Sequence, residues 1–288
     1  MSHQTKEIAM KYVFMLSATV SILAMVLIFY FMFSQGAPFI FEEGLNNFLL
    51  GTAWRPTASQ PEYGILPMIV GSLIVTLGAV IVGVPLGVLT AVCLSHFMSD
   101  RTYRWFKPAI NLMAAIPSIV YGFFALQLIV PVSRFLFGGS GMNMITASIL
   151  LGIMILPTII GLSEASLRAV PKHYYEGSIG LGATHEASVM KVIVPAAKSG
   201  ILSAVILGIG RAIGETMAVI LVAGNQPRIP HNLHQGVRTL TTNIVLEMAY
   251  ATGRHREALI ATAVVLFIFI LLINTVFMIV KHKGERRS

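Results

Sequence analysis

The chain has 288 residues, of which 56% are hydrophobic and only 11% charged, with a formal net charge of +8. A soluble domain averages about half apolar and about a quarter charged, so the expected solvent here is a lipid bilayer. Nucleic-acid binding is excluded as the reason for the positive charge, because the cations sit in short stretches beside apolar runs and not on a solvated face.

Six apolar runs are long enough to cross about 30 Å of hydrocarbon. They lie near Tyr12 to Ser34, Pro67 to Leu94, Phe106 to Val132, Met144 to Leu162, Gly200 to Ala223 and Ala258 to Val280. The first follows Lys6 and Lys11 as a signal peptide would, but it is too long and lacks a small-x-small cleavage site, which predicts a retained helix. Cys93 is the single cysteine, so no disulfide framework or thiolate cluster can form, and its place in the second run predicts a buried, inert thiol. Pro85, Pro117 and Pro157 are expected to kink their helices, and the 15 methionines to fill packing gaps.

Lysine and arginine are held back on the cytoplasmic side of a membrane. With the N-terminus inside, thirteen of these residues fall in cytoplasmic segments, Lys281, Lys283, Arg286 and Arg287 among them, against six outside (Arg55, Arg134, Arg228, Arg238, Arg254 and Arg256). Both termini are therefore expected in the cytoplasm. The chain divides into an N-terminal span with an external segment (1–65), a membrane domain (66–281) and a basic tail (282–288).

Between the fourth and fifth spans runs the polar stretch YYEGSIGLGATHEASVMKVIVP, residues 174–195. Pro171 suits the first turn of a helix, Gly182 a turn, Thr184 an N-cap with Glu186 in the first turn that follows, and Pro195 closes the segment. The loop reads as helix, turn, helix.

The fifth span contains GRAIGETMAV, which places Arg211 and Glu215 near the middle of the membrane. Each such charge costs about 2.5–3.5 kcal/mol on insertion scales, and an intramembrane charge marks a functional site by default. Four residues apart on one helix, the two can pair, although arginine preceding glutamate is the poorer order for the helix dipole. Two readings stay open: a closed pair that orients helices, or an arginine fork that attracts an oxyanion while Glu215 orients it. Gly208, Gly210 and Gly214 are expected to permit close helix packing.

The segments Gln35 to Leu66 and Asn225 to Glu257 are long for external turns. His231, His234 and His255 lie in the second, with no cysteine or carboxylate at metal-ligand spacing, and are read as solvated. No G-x4-G-K-[S/T] phosphate loop occurs, so any ATP-driven work needs a partner.

The polar loop resembles that of ABC-importer permeases, whose pattern is E-A-A-x3-G-x9-I-x-L-P. Glu176, Gly177 and Ser178 stand at E-A-A, Gly182 at the glycine, Val192 and Val194 at Ile and Leu, and Pro195 at the proline. NLMAAIPSIVYGFFAL, GRAIGETMAV, YGILPMIVGSL and TLTTNIVLEMAYATGRHREAL are similar to the PstC-type phosphate permease branch. The resemblance implies an all-α integral membrane subunit with six transmembrane helices and a cytoplasmic coupling helix between helices 4 and 5. It implies the bacterial inner membrane, a second related permease, two ATPase subunits that bind ATP and Mg in place of any cofactor in this chain, and an external phosphate-binding protein. That protein would dock on the external face, where Arg228 and Arg238 are candidates, and Arg211 with Glu215 would line the translocation pathway. The alternatives are a permease for sulfate, molybdate or phosphonate and an ion-coupled transporter or channel, for which an inverted repeat would speak. None is visible in the sequence.

Overall fold

The computed structural model describes residues 3–285, and its regular elements are helices apart from one small hairpin. Helix α1 (His3–Glu43) continues past the expected first span, and α2 (Leu45–Leu50) turns the chain into the hairpin β1 (Trp54–Arg55) and β2 (Glu62–Tyr63), paired Trp54 with Tyr63. Next come α3 (Leu66–Val92), a π-helical turn (Cys93–Phe97), α4 (Asp100–Ala115), α5 (Ser118–Phe137) and α6 (Met144–Arg168). The loop forms α7 (Lys172–Gly180), α8 (His185–Ser188), a π-helical turn (Val189–Ile193) and α9 (Val194–Ala196). The chain ends with α10 (Lys198–Gly214), α11 (Met217–Val222), α12 (Leu240–Met248) and α13 (Gly253–Glu285). Part of the expected tail, residues 286–288, lies outside the described residues.

Among the described residues five helices, α1, α3 with its π turn, α5, α6 and α13, are long and apolar enough to cross a membrane, and a sixth span results if the bent run from His185 to Gly214 is taken as one. The centre of the bundle is the parallel pair α3 and α6. A Cβ on Gly83 would lie 2.8 Å from the Gly152 carbonyl, and one on Gly152 would lie 3.1 Å from Val82, so the two backbones touch where both lack a side chain. The same register carries Gly78 against Ser148 and Gly87 against Ile159. Helix α1 rests on α13 at the rim, with Phe29 and Phe267 4.7 Å apart. The hairpin and α12 gather at one end of the bundle, and the α7–α9 loop at the other.

Two expected spans differ from the sequence reading. The third is not one helix from Phe106 to Val132, because Pro117 holds Ile116 extended (φ −67°, ψ 128°) and α4 stops there. Only α5 is apolar enough to cross; α4 is strongly amphipathic and carries Arg101, Arg104 and Lys107. Proline also removes the N–H that the Met113 carbonyl would have used, and the Tyr121 hydroxyl donates to that carbonyl at 2.8 Å. The fifth span is broken after Gly214, where Glu215 is extended (φ −69°, ψ 135°).

Cys93 is exposed rather than buried, since Val92 and Leu94 take the packed face where α3 ends.

Candidate functional site

The break in the fifth span sets the geometry of the site. Helix α11 begins with unpaired N–H groups, and the Glu215 carboxylate accepts two of them, from Thr216 at 3.1 Å and Ala218 at 3.2 Å. Thr241 of α12 donates its hydroxyl to the Glu215 carbonyl at 3.0 Å, fixing the break against the hairpin end. Glu215 is thus a capping residue.

Of the two readings left open, the closed Arg211–Glu215 pair does not form, because the helical register that would bring them together ends at Gly214. Arg211 instead donates from Nη1 to the Thr158 hydroxyl of α6 at 3.1 Å, and among the described residues it has no ion-pair partner. Its side chain is exposed to a groove of about 530 Å³ between α6, α10 and α13, lined also by Ser203, Gly210 and Asn274. Gly208 packs against Ile159 as expected, but a Cβ on Gly210 or Gly214 would meet nothing within 4 Å, so those two glycines leave space beside Arg211. Thr158, Ser203 and Asn274 are polar groups in apolar helices that sequence reasoning passed over.

The polar loop folds as its local signals predict, with small differences. Pro171 stands at the N-cap of α7 and not within its first turn, Gly182 turns with φ +88°, and the Thr184 hydroxyl accepts the Ala187 N–H at 3.3 Å. Pro195 lies in α9, just before a 67° bend into α10. Glu176, Gly177, Gly182 and Pro195 are exposed, while Ser178 is partly covered through its bond to Ser188 at 2.9 Å. Leu181, which the sequence reading did not select, is 92% exposed at the tip.

At the loop's base, Glu164 is 2% exposed and takes hydrogen bonds from Tyr103 at 2.7 Å, Arg168 at 2.9 Å and Lys107. Arg168 also reaches the Leu94 carbonyl at 3.2 Å and lies 4.5 Å over the Tyr103 ring. His185 bonds through Nε2 to the His96 carbonyl at 3.0 Å and through Nδ1 to the Tyr175 hydroxyl at 2.9 Å, so Nε2 carries the donated proton.

At the opposite end, Arg238 is not a free surface cation. It pairs with Glu247 at 2.5 Å, and it donates to Asn243 Oδ1 and to the Asn225 carbonyl, each at 3.0 Å. Glu247 also accepts Trp54 Nε1 at 2.9 Å and His255 Nε2 at 2.8 Å. The reading of His255 as solvated is corrected, since it is buried against Glu247, and Arg238 helps to hold this end of the bundle together. Arg228 remains exposed, and its Nε donates to Gln226 at 3.0 Å. His231 and His234 are exposed as expected.

Residues 83–287 match the family described as "Binding-protein-dependent transport system inner membrane component". The chain belongs to this family of membrane transport subunits. Among curated relatives, it is 36% identical over 282 residues to "Probable ABC transporter permease protein YqgH" of Bacillus subtilis, covering 95% of this chain and 91% of the relative. It is 34% identical to "Phosphate transport system permease protein PstC" of Haemophilus influenzae, with 77% and 76% covered. The PstC of Pasteurella multocida is 31% identical, with 84% and 81% covered. Two solved structures share the fold. A bacterial alginate ABC transporter chain superposes with TM-score 0.66 at 13% identity, covering 98% of this chain and 96% of that one. A chain of the MetNI methionine ABC transporter gives TM-score 0.57 at 20% identity, covering 77% and 94%. This ABC permease is therefore a multi-pass, all-α membrane protein. Among its described residues no group of three or more His, Cys, Asp or Glu side chains could hold a metal ion.

Proposed function

We propose that the chain is the permease subunit of an ATP-driven importer of inorganic phosphate, with Arg211 on the translocation pathway. The observation that carries this reading is the state of Arg211. It stands on α10 within the fifth apolar run, gives one hydrogen bond to Thr158, and has no carboxylate to neutralise it among the described residues. A cation left that way is costly unless water or a passing anion meets it, and its planar fork suits phosphate oxygens. Glu215 contributes by holding the break open, not by pairing with the arginine. The named PstC relatives support phosphate over other oxyanions.

The orientation follows from the lysine and arginine count, with both termini and the α7–α9 loop in the cytoplasm. There Glu176, Gly177, Ser178, Gly182 and Pro195 form the coupling loop. Its exposed apolar tip at Leu181 fits a hydrophobic groove on an ATPase subunit, which binds the ATP and Mg. A second, related permease completes the membrane dimer, two ATPase subunits attach below, and a phosphate-binding protein docks on the hairpin end, where Arg228 is exposed.

The test is labelled phosphate uptake in cells lacking this chain and complemented with it. Uptake that resists excess sulfate and molybdate and requires ATP is the expected result. Uptake abolished by either competitor would reassign the substrate.

A further inference from the structure

We propose that Glu164 is the positioning residue through which the coupling loop controls the translocation site, and that it acts through α4 rather than along α10. The proposal rests on the importer reading above.

The direct route is poorly built for the task. Between the loop and Arg211 lie a π-helical turn at Val189–Ile193 and the 67° bend, so a push along α8 is not delivered along the axis of α10. The route through Glu164 is continuous. The Tyr175–His185–His96 bonds clamp α7 and α8 onto the end of α3, and α7 follows α6 after only three residues. At that end of α6, Glu164 gathers Tyr103 and Lys107 from α4 with Arg168 one turn further on.

Two cations share one buried carboxylate, so removal of its charge leaves Lys107 and Arg168 facing each other and releases α4. Helix α4 ends at Ala115, and Tyr121 binds the Met113 carbonyl across the break, so α5 follows its movement. Helix α5 touches α11 closely: a Cβ on Gly122 would stand 3.0 Å from Ala218 Cα. The Ala218 N–H is one of the two that Glu215 caps. Displacement of α4 therefore reaches the break beside Arg211 through contacts that are all present.

The test uses the whole transporter in proteoliposomes, with its partner permease, ATPase subunits and phosphate-loaded binding protein, and measures phosphate moved and ATP hydrolysed together. E164Q is expected to assemble and hydrolyse ATP while phosphate moved per ATP falls by about fivefold or more, the range of an ordinary coupling energy. E164D should restore most of the ratio, and K107M should lower it. Combined with His185→Ala, E164Q should add little, since both cut one route. If E164Q does not assemble, Tyr103→Phe, which keeps both ion pairs, is measured instead and should give a smaller fall in the same ratio. A wild-type ratio in E164Q, or in Tyr103→Phe when that substitutes for it, overturns the proposal. Wild-type transporter that hydrolyses ATP but moves no phosphate contradicts the importer reading itself, which distinguishes the two failures.

Discussion

Glu164 and Glu247 solve the same problem at opposite ends of the bundle, and they do so differently. Each is a buried carboxylate with an arginine and two further donors. At the hairpin end the partners are closed in: the Arg238 side chain is 14% exposed and that of His255 9%. At the loop end Lys107 is 27% and Arg168 47% exposed. A donor that can turn to water gives up its protein partner at modest cost, whereas a sealed one leaves a desolvated charge behind. The closed cluster therefore suits a fixed end, and the half-open one suits a joint.

That contrast is broken most easily at Glu247. Glu247→Ala strands Arg238 without its counter-charge and should cost about 3–5 kcal/mol. The thermal midpoint of the purified complex and the amount of chain in the membrane should both fall sharply; an unchanged midpoint would deny that this end is a sealed clamp. Trp54→Phe removes one hydrogen bond to the same carboxylate and should cost about 1.5 kcal/mol in the same melt. Thr184→Ala removes the cap of α8 and should cost about 1 kcal/mol, confined to the loop and visible as faster amide exchange over residues 185–188. Arg254 lies at the hairpin end too, but its pairs with Glu42 and Glu43 are open to solvent. Arg254→Ala should therefore shift the midpoint by the equivalent of less than about 1 kcal/mol.

What the sequence made legible was local. The cap at Thr184 and the turn at Gly182 depend on residues within a few positions of each other, and both occur where expected. Pro117 announced a disturbance in the third span, but the step from a kink to a full break rests on Ile116 being held extended and on Tyr121 taking the freed carbonyl. The break at Glu215 was hidden, because an Arg–Glu spacing of four fits a pair on a continuous helix as well as it fits a cap. The partners of Glu164 stand 57 and 61 positions away in α4, and no periodicity reveals such a meeting. Arg168 at the i+4 position was the one signal available. The bonds of Arg238 were hidden for the same reason, since its acceptors come from a loop carbonyl and from α12.

The central claim is that Arg211 serves the pathway while Glu215 shapes the backbone beside it. Labelled phosphate uptake by Arg211→Gln and Glu215→Gln, at equal membrane abundance in cells lacking the native chain, tests it most directly. A glutamine at 215 can still accept the Thr216 and Ala218 N–H groups, so that variant should keep most of its uptake, whereas Arg211→Gln should lose about tenfold or more, the worth of one charged hydrogen bond. Near-normal uptake by Arg211→Gln, or a deeper loss in Glu215→Gln than in Arg211→Gln, would contradict the account.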